Sequence, residues 1–114
     1  MAPRTNPLKL NPLQLRTLAL LQELATLPEY ATPVPESGGA RLSQLPGAHG
    51  DHFHVGHKVV ASRDATGLRN ASVWAALERK GLVEGQFPYS VAITKEGLAY
   101  DTSGAGHILH GGDH

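Results

Sequence analysis

The amino-acid sequence predicts a small α+β fold. Three observations carry that expectation. Leucines recur at helical spacing between Leu13 and Leu27; a second amphipathic segment, Leu68 to Lys80, is closed by Gly81; and two strand-like runs, Leu82-Val83 and Ser90–Thr94, are separated by a turn sequence.

The leading helix has a start and a stop. Residues 1–11 are rich in Pro and Asn and read as a flexible arm. Asn11-Pro12 then combines a good capping residue with one suited to the first helical turn. From there Leu13, Leu20, Leu24 and Leu27 fall on one stripe, with Leu18 and Leu21 beside it, and Gln14, Arg16, Gln22 and Glu23 fall largely elsewhere. The pattern predicts a helix over 12–26, ended by Pro28. Its stripe is core or dimer interface.

Residues 28–50 hold four prolines and four glycines (Pro28, Pro33, Pro35, Pro46, Gly38, Gly39, Gly47, Gly50) and predict an irregular connection, with room for a helical turn around Arg41–Leu45. Residues 52–62 allow two readings. Phe53, Val55, Val59 and Val60 favour a strand, whereas Lys58–Ala65 could form a helix with Thr66-Gly67 as the following turn.

The next helix is expected over 68–80, with Val73, Trp74 and Leu77 on its apolar face and Asn70 between them in projection. Gly81 supplies the stop, Leu82-Val83 opens a strand, Gly85–Pro88 turns the chain and Ser90–Thr94 returns it. Lys95–Tyr100 reads as a short last helix. The body of the domain thus spans 12–102, and the glycine- and histidine-rich residues 103–114 read as a flexible tail.

Composition narrows the function classes. The 114 residues contain no cysteine, which removes disulfides and thiolate chemistry and fits a reducing, cytoplasmic setting. No apolar run resembles a signal peptide or a membrane span. Ten basic and ten acidic residues cancel, but in blocks: residues 1–22 carry +3, 23–57 carry −3, 58–80 carry +3 and 81–114 carry −3. A local positive field can steer a polyanion even at zero net charge.

The segment ALERKGLVEGQFPYSVAITKEGLAY resembles the end of the winged helix-turn-helix domains of bacterial regulators of the multiple-antibiotic-resistance-regulator (MarR) type. That family closes its recognition helix with a leucine, charged residues and Gly-Leu-Ile/Val, matched here by Leu77, Glu78, Arg79, Lys80, Gly81, Leu82 and Val83. It follows its wing with Leu/Ile-Thr, a charged pair and Gly, matched by Ile93, Thr94, Lys95, Glu96 and Gly97. The match covers residues 66–101. It implies a winged helix-turn-helix with three or more helices and a small antiparallel β-hairpin wing. It departs from the family in a short wing without Arg or Lys, and in Arg63, where a small residue is usual.

The resemblance implies double-stranded DNA as partner, a homodimer as working unit, and a role in transcription regulation. Arg69 and Ser72 would approach base edges, and Lys58, Arg63, Arg79 and Lys80 would contact phosphates. The neutral net charge and bare wing keep a protein-interaction winged helix as the alternative.

Seven histidines form two groups. His49, His52, His54 and His57 lie close together with Asp51; His107, His110 and His114 lie in the tail with Asp113. On a strand His52 and His54 share a side, and a nitrogen ligand set suits zinc, nickel or copper. The glycine-rich surroundings argue for exposed loops, so the expectation is no metal site, with His52, His54, His57, His107 and His110 as the candidates for a zinc- or nickel-responsive regulator. No nucleophile elbow, Walker loop or dinucleotide fingerprint occurs, and the chain is not expected to be an enzyme.

Overall fold

The computed structural model describes residues 6–46, 48–49, 52–56, 58–87, 90–102 and 104–111. Helix α1 (Pro12–Leu24) begins with a reciprocal cap. The Asn11 side chain accepts from the Gln14 N–H at 2.8 Å, and the Gln14 side chain accepts from the Asn11 N–H at 3.0 Å. The helix buries more than one stripe. Thr17, Leu18, Ala19, Leu20 and Leu21 are buried in succession, and so is Leu24. Five consecutive buried residues exceed one turn of about 3.6, so the middle of α1 is enclosed on every side. Short 3-10 turns at Thr66–Arg69 and Ala105–Ile108 pack on it, together with helices α2 (Ala71–Arg79) and α3 (Lys95–Ala99).

The region expected to be an irregular connection is built as a sheet. Strands β1 (Ala31–Val34) and β2 (Gly39–Leu42) form an antiparallel hairpin, so Arg41 and Leu42 are extended and not part of a helical turn. Pro33 is tolerated because β1 lies at a sheet edge, where one side of the strand needs no donor. Outside this hairpin, β6 (Val83–Gln86) and β7 (Ser90–Ile93) form the second hairpin, and the sheet order is β1-β2-β7-β6. The register sets Ala40 and Val83 on either side of Ile93, and Leu42 opposite Val91, and all five are buried. The expected wing is therefore not a free hairpin; it is half of a four-stranded sheet.

A second sheet, ordered β3-β4-β5-β8, contains β3 (Ala48–His49), β4 (His52–Val55), β5 (Lys58–Ala61) and β8 (His110–Gly111). Phe53 pairs with Val60 on its buried face, next to Val55. This settles the ambiguous segment as a strand. β-branched Val59 and Val60 are held between two neighbouring strands, and Ser62–Asp64 and Thr66–Arg69 are only single 3-10 turns.

Helix α2 is shorter than expected. Asn70, placed by sequence on the apolar face, is instead the N-cap and accepts from the Ser72 N–H at 2.9 Å. Gly81, at φ 76°, lets the chain leave the helix through the left-handed region. Thr94 caps α3, accepting from the Gly97 N–H at 3.0 Å, and Ile93 is fully buried.

Described parts of both ends pack on the body. The described part of the arm is pinned: Leu10 is buried, the Leu8 N–H donates to the Tyr100 hydroxyl at 3.1 Å, and Asn6 Oδ1 accepts from that hydroxyl. The tail returns to the body, with Ala105 and Ile108 buried and β8 paired to β5. Apolar anchors contribute to this: burying one isoleucine, 3 % exposed, offsets the backbone ordering cost of about one or two residues. No helix among the described residues is long and apolar enough to cross a membrane.

Candidate nucleic-acid interface

The six residues expected to meet DNA are distributed unevenly. Ser72 and Arg79 stand seven positions apart on α2, two turns along one face, a separation of about 10 Å along the axis. Between them Ala75 is exposed, and Ala71 extends the face toward the N-terminus. Val73, Trp74, Ala76 and Leu77 form the opposite, buried face. Leu68, which belongs to the preceding 3-10 turn, and Ala76 are also buried.

Arg69 closes the turn that leads into α2 and is exposed, with one guanidinium N–H donating to the Pro46 carbonyl at 3.4 Å. Arg63 is exposed on the neighbouring 3-10 turn. Together with Arg79 they are the cations directed outward around α2.

The two lysines have intramolecular partners. Lys58 Nζ lies 3.2 Å from Glu23 Oε1, linking β5 to α1. Lys80 Nζ donates to the Leu8 carbonyl at 2.8 Å and fastens the arm to the end of α2. Neither contact has a sequence signal, because the partners are 35 and 72 residues away. For Lys80 the consequence is structural: one of its three donors is committed to the Leu8 carbonyl, which holds the ammonium at the junction of the arm and α2.

Between α2 and the β6–β7 hairpin runs a groove of about 340 Å³. Its floor holds Trp74, whose ring stacks on Phe87 with centroids 5.2 Å apart. Its walls carry Glu78 and Glu84, and among the described residues no Arg or Lys lines it. The groove thus presents carboxylates beside an aromatic pair.

Four of the histidines, His49, His52, His54 and His110, lie in strands of the second sheet. His52 Nε2 and His54 Nε2 are 3.3 Å apart, their rings edge to face. His107 lies in the 3-10 turn Ala105–Ile108, His110 begins β8, and His57 lies outside the described residues. Among the described residues no three His, Asp or Glu side chains converge as a metal-binding group.

Comparison of the chain with protein-family models, with curated proteins and with solved structures finds no match.

Proposed function

We propose that the chain is a non-enzymatic winged-helix module that binds double-stranded DNA through α2, as a transcriptional regulator or accessory protein. The observation that carries this reading is the outward face of α2. Ala71, Ser72 and Ala75 make a low surface that permits close approach to a groove floor, and Arg69 and Arg79 stand at its two ends. Small side chains flanked by guanidinium groups suit a helix laid in a major groove about 12 Å wide.

Three outward arginines provide only modest affinity, and one helix per chain reads few bases. The working unit in this reading is a homodimer that spans two half-sites. Fluorescence anisotropy with labelled mixed-sequence duplexes at two salt concentrations tests DNA binding, and sedimentation velocity tests the dimer. Binding is expected to weaken with a log–log salt slope of about −5 if three arginines of each protomer meet phosphates, six contacts in the dimer. Absence of binding at low salt would overturn it.

A protein-binding winged helix is the second reading, favoured by the groove beside α2. Its acidic walls and stacked Trp74–Phe87 floor complement a basic segment with an apolar anchor better than they complement a phosphate backbone.

A further inference from the structure

We propose, on the protein-binding reading of the groove beside α2, that the open edge of β6 takes an extended basic segment of a partner protein as an added strand, with arginine or lysine facing Glu84 and the aliphatic residues between them entering the groove.

The two edges of the first sheet differ in the backbone groups they offer. Hydrogen-bonded and unbonded residue pairs alternate along an antiparallel ladder, and an unbonded residue turns its N–H and C=O away from that neighbour. Beside β1 the Ser43 N–H donates to the Tyr30 carbonyl, so Tyr30–Ser43 is a bonded pair and Ala31 and Pro33 face the edge. Proline has no N–H, and the Ala31 N–H already donates to the Leu27 carbonyl at 3.0 Å. The four residues of β1 therefore present no free donor to a further strand. Beside β6 the Thr94 N–H donates to the Leu82 carbonyl at 3.0 Å, which fixes Leu82–Thr94 as a bonded pair. By alternation Glu84 and Gln86 bond to β7, whereas Val83 and Gly85 turn their backbone groups to the edge. Neither is a proline, and among the described residues no strand lies beyond β6. Such an edge is a template for an extended peptide.

The side chains around the edge set the composition of that peptide. Glu84 is exposed on the outer face of the sheet, in one row with Ala92 and Arg41, and Val83 is buried on the inner face. Arg41 is two strands from Glu84, about 10 Å. A residue of the added strand opposite Glu84 shares its face, so opposite charge is favoured there and like charge is repelled. This disfavours two copies pairing through β6 about Glu84. The next residues of the added strand point to the other side, into the groove between β6 and α2. There Phe87 stacks on Trp74, and Ala75 and Glu78 form the α2 wall. Aliphatic side chains suit the aromatic floor, and Glu78 offers a second carboxylate to the flanking cations. The partner sequence is thus an alternation of basic and aliphatic residues.

Trp74, the only tryptophan, lines the groove, so its fluorescence reports on occupancy. The probe is the tryptophan-free peptide acetyl-Ser-Arg-Leu-Arg-Leu-Arg-Ser-amide, titrated into the full chain. One-to-one binding with a Kd on the order of tens of micromolar is expected, weakening as salt rises. The same peptide with glutamate for arginine should not bind. Methylating the backbone nitrogens of the leucines removes the N–H groups that meet β6 and keeps every side chain; it should weaken binding by about tenfold. Methylating the backbone nitrogens of the arginines, which face away from β6, should weaken it far less. Glu84→Gln and Glu78→Gln should each weaken binding by about two- to fivefold, with unchanged circular dichroism. Equal binding of the parent and leucine-methylated peptides would overturn strand addition and leave the protein-binding groove standing. Equal binding of the basic and acidic peptides would remove the basic partner. Absence of binding by either peptide, in fluorescence and in calorimetry, would overturn the strand and the groove together. A dimer in sedimentation velocity that the peptide disperses would make a second copy the occupant, against the proposal.

Discussion

Gly67 lies against Thr17 so closely that a β-carbon on the glycine would overlap the threonine hydroxyl. The contact joins the 3-10 turn before α2 to the buried middle of α1. Gly67 is needed here for space, since its φ is not positive, and this differs from Gly81, where conformation is the requirement and a β-carbon would meet nothing within 4 Å. Gly67→Ala should therefore cost about 1–3 kcal/mol by overpacking. Urea unfolding of Gly67→Ala, Thr17→Ala and the double variant checks this. Removing the hydroxyl frees the space, so the double variant should lose less than the two single losses combined. Strictly additive losses would show that the two residues do not press on each other.

Trp74 should be the most costly single truncation in α2. It is 3 % exposed, stacks on Phe87, and its indole N–H donates to the Leu68 carbonyl at 2.9 Å. Trp74→Ala should destabilise by about 3–5 kcal/mol. Trp74→Phe retains an aromatic ring but orphans the Leu68 carbonyl, so a loss of about 1–3 kcal/mol is expected. Because Trp74 is the only tryptophan, native fluorescence reports on it alone. An emission maximum typical of a water-exposed indole would contradict its position.

Arginine and lysine variants around α2 should separate binding from stability. Arg69→Ala and Arg79→Ala are expected to weaken DNA binding, each lowering the magnitude of the salt slope by about 2 in the dimer, one contact per protomer, with little change in melting temperature. Lys80→Ala should do the reverse, lowering the melting temperature through loss of its bond to Leu8 while leaving the salt slope alone. Equal slopes in all three variants would remove the arginines from the proposed interface.

The tail should contribute to stability. Ile108 is 3 % exposed and joins the core, so Ile108→Ala should cost about 2–5 kcal/mol. A chain ending at Thr102 should show a lower urea midpoint, and amides of Val59 should lose protection from hydrogen exchange because β8 no longer pairs there. Unchanged stability on truncation would mean that the tail does not pack in solution.

Much of the first half of α1, the exit at Gly81, the hairpin strands and the cap at Thr94 were legible in the sequence. Their signals are local: Asn11 with Gln14, and Thr94 with Gly97, interact across three residues. The start of α2 was misplaced because Leu68 continues the apolar pattern, yet Asn70 competes for the backbone and caps instead. The β1–β2 hairpin was missed because proline and glycine usually mark loops, and only an edge position in a sheet makes Pro33 acceptable. Of the proposed interface residues, Arg63, Arg69, Ser72 and Arg79 remain exposed where expected, whereas Lys58 and Lys80 are engaged elsewhere.

By itself the sequence determined the elements whose causes lie within a turn or a strand: caps, glycine exits, β-branched runs and the apolar face of α2. The tertiary structure alone decided what those elements meet. It set β7 between β2 and β6, laid β8 beside β5, and brought Leu8 to Tyr100 across 92 residues and Lys80 to Leu8 across 72. Such pairings depend on which surfaces close the core around α1, and an ammonium or a strand edge has many possible partners until that core has formed. The same closure placed His110 in the sheet of His52 and His54, a juxtaposition that spacing along the chain could not reveal.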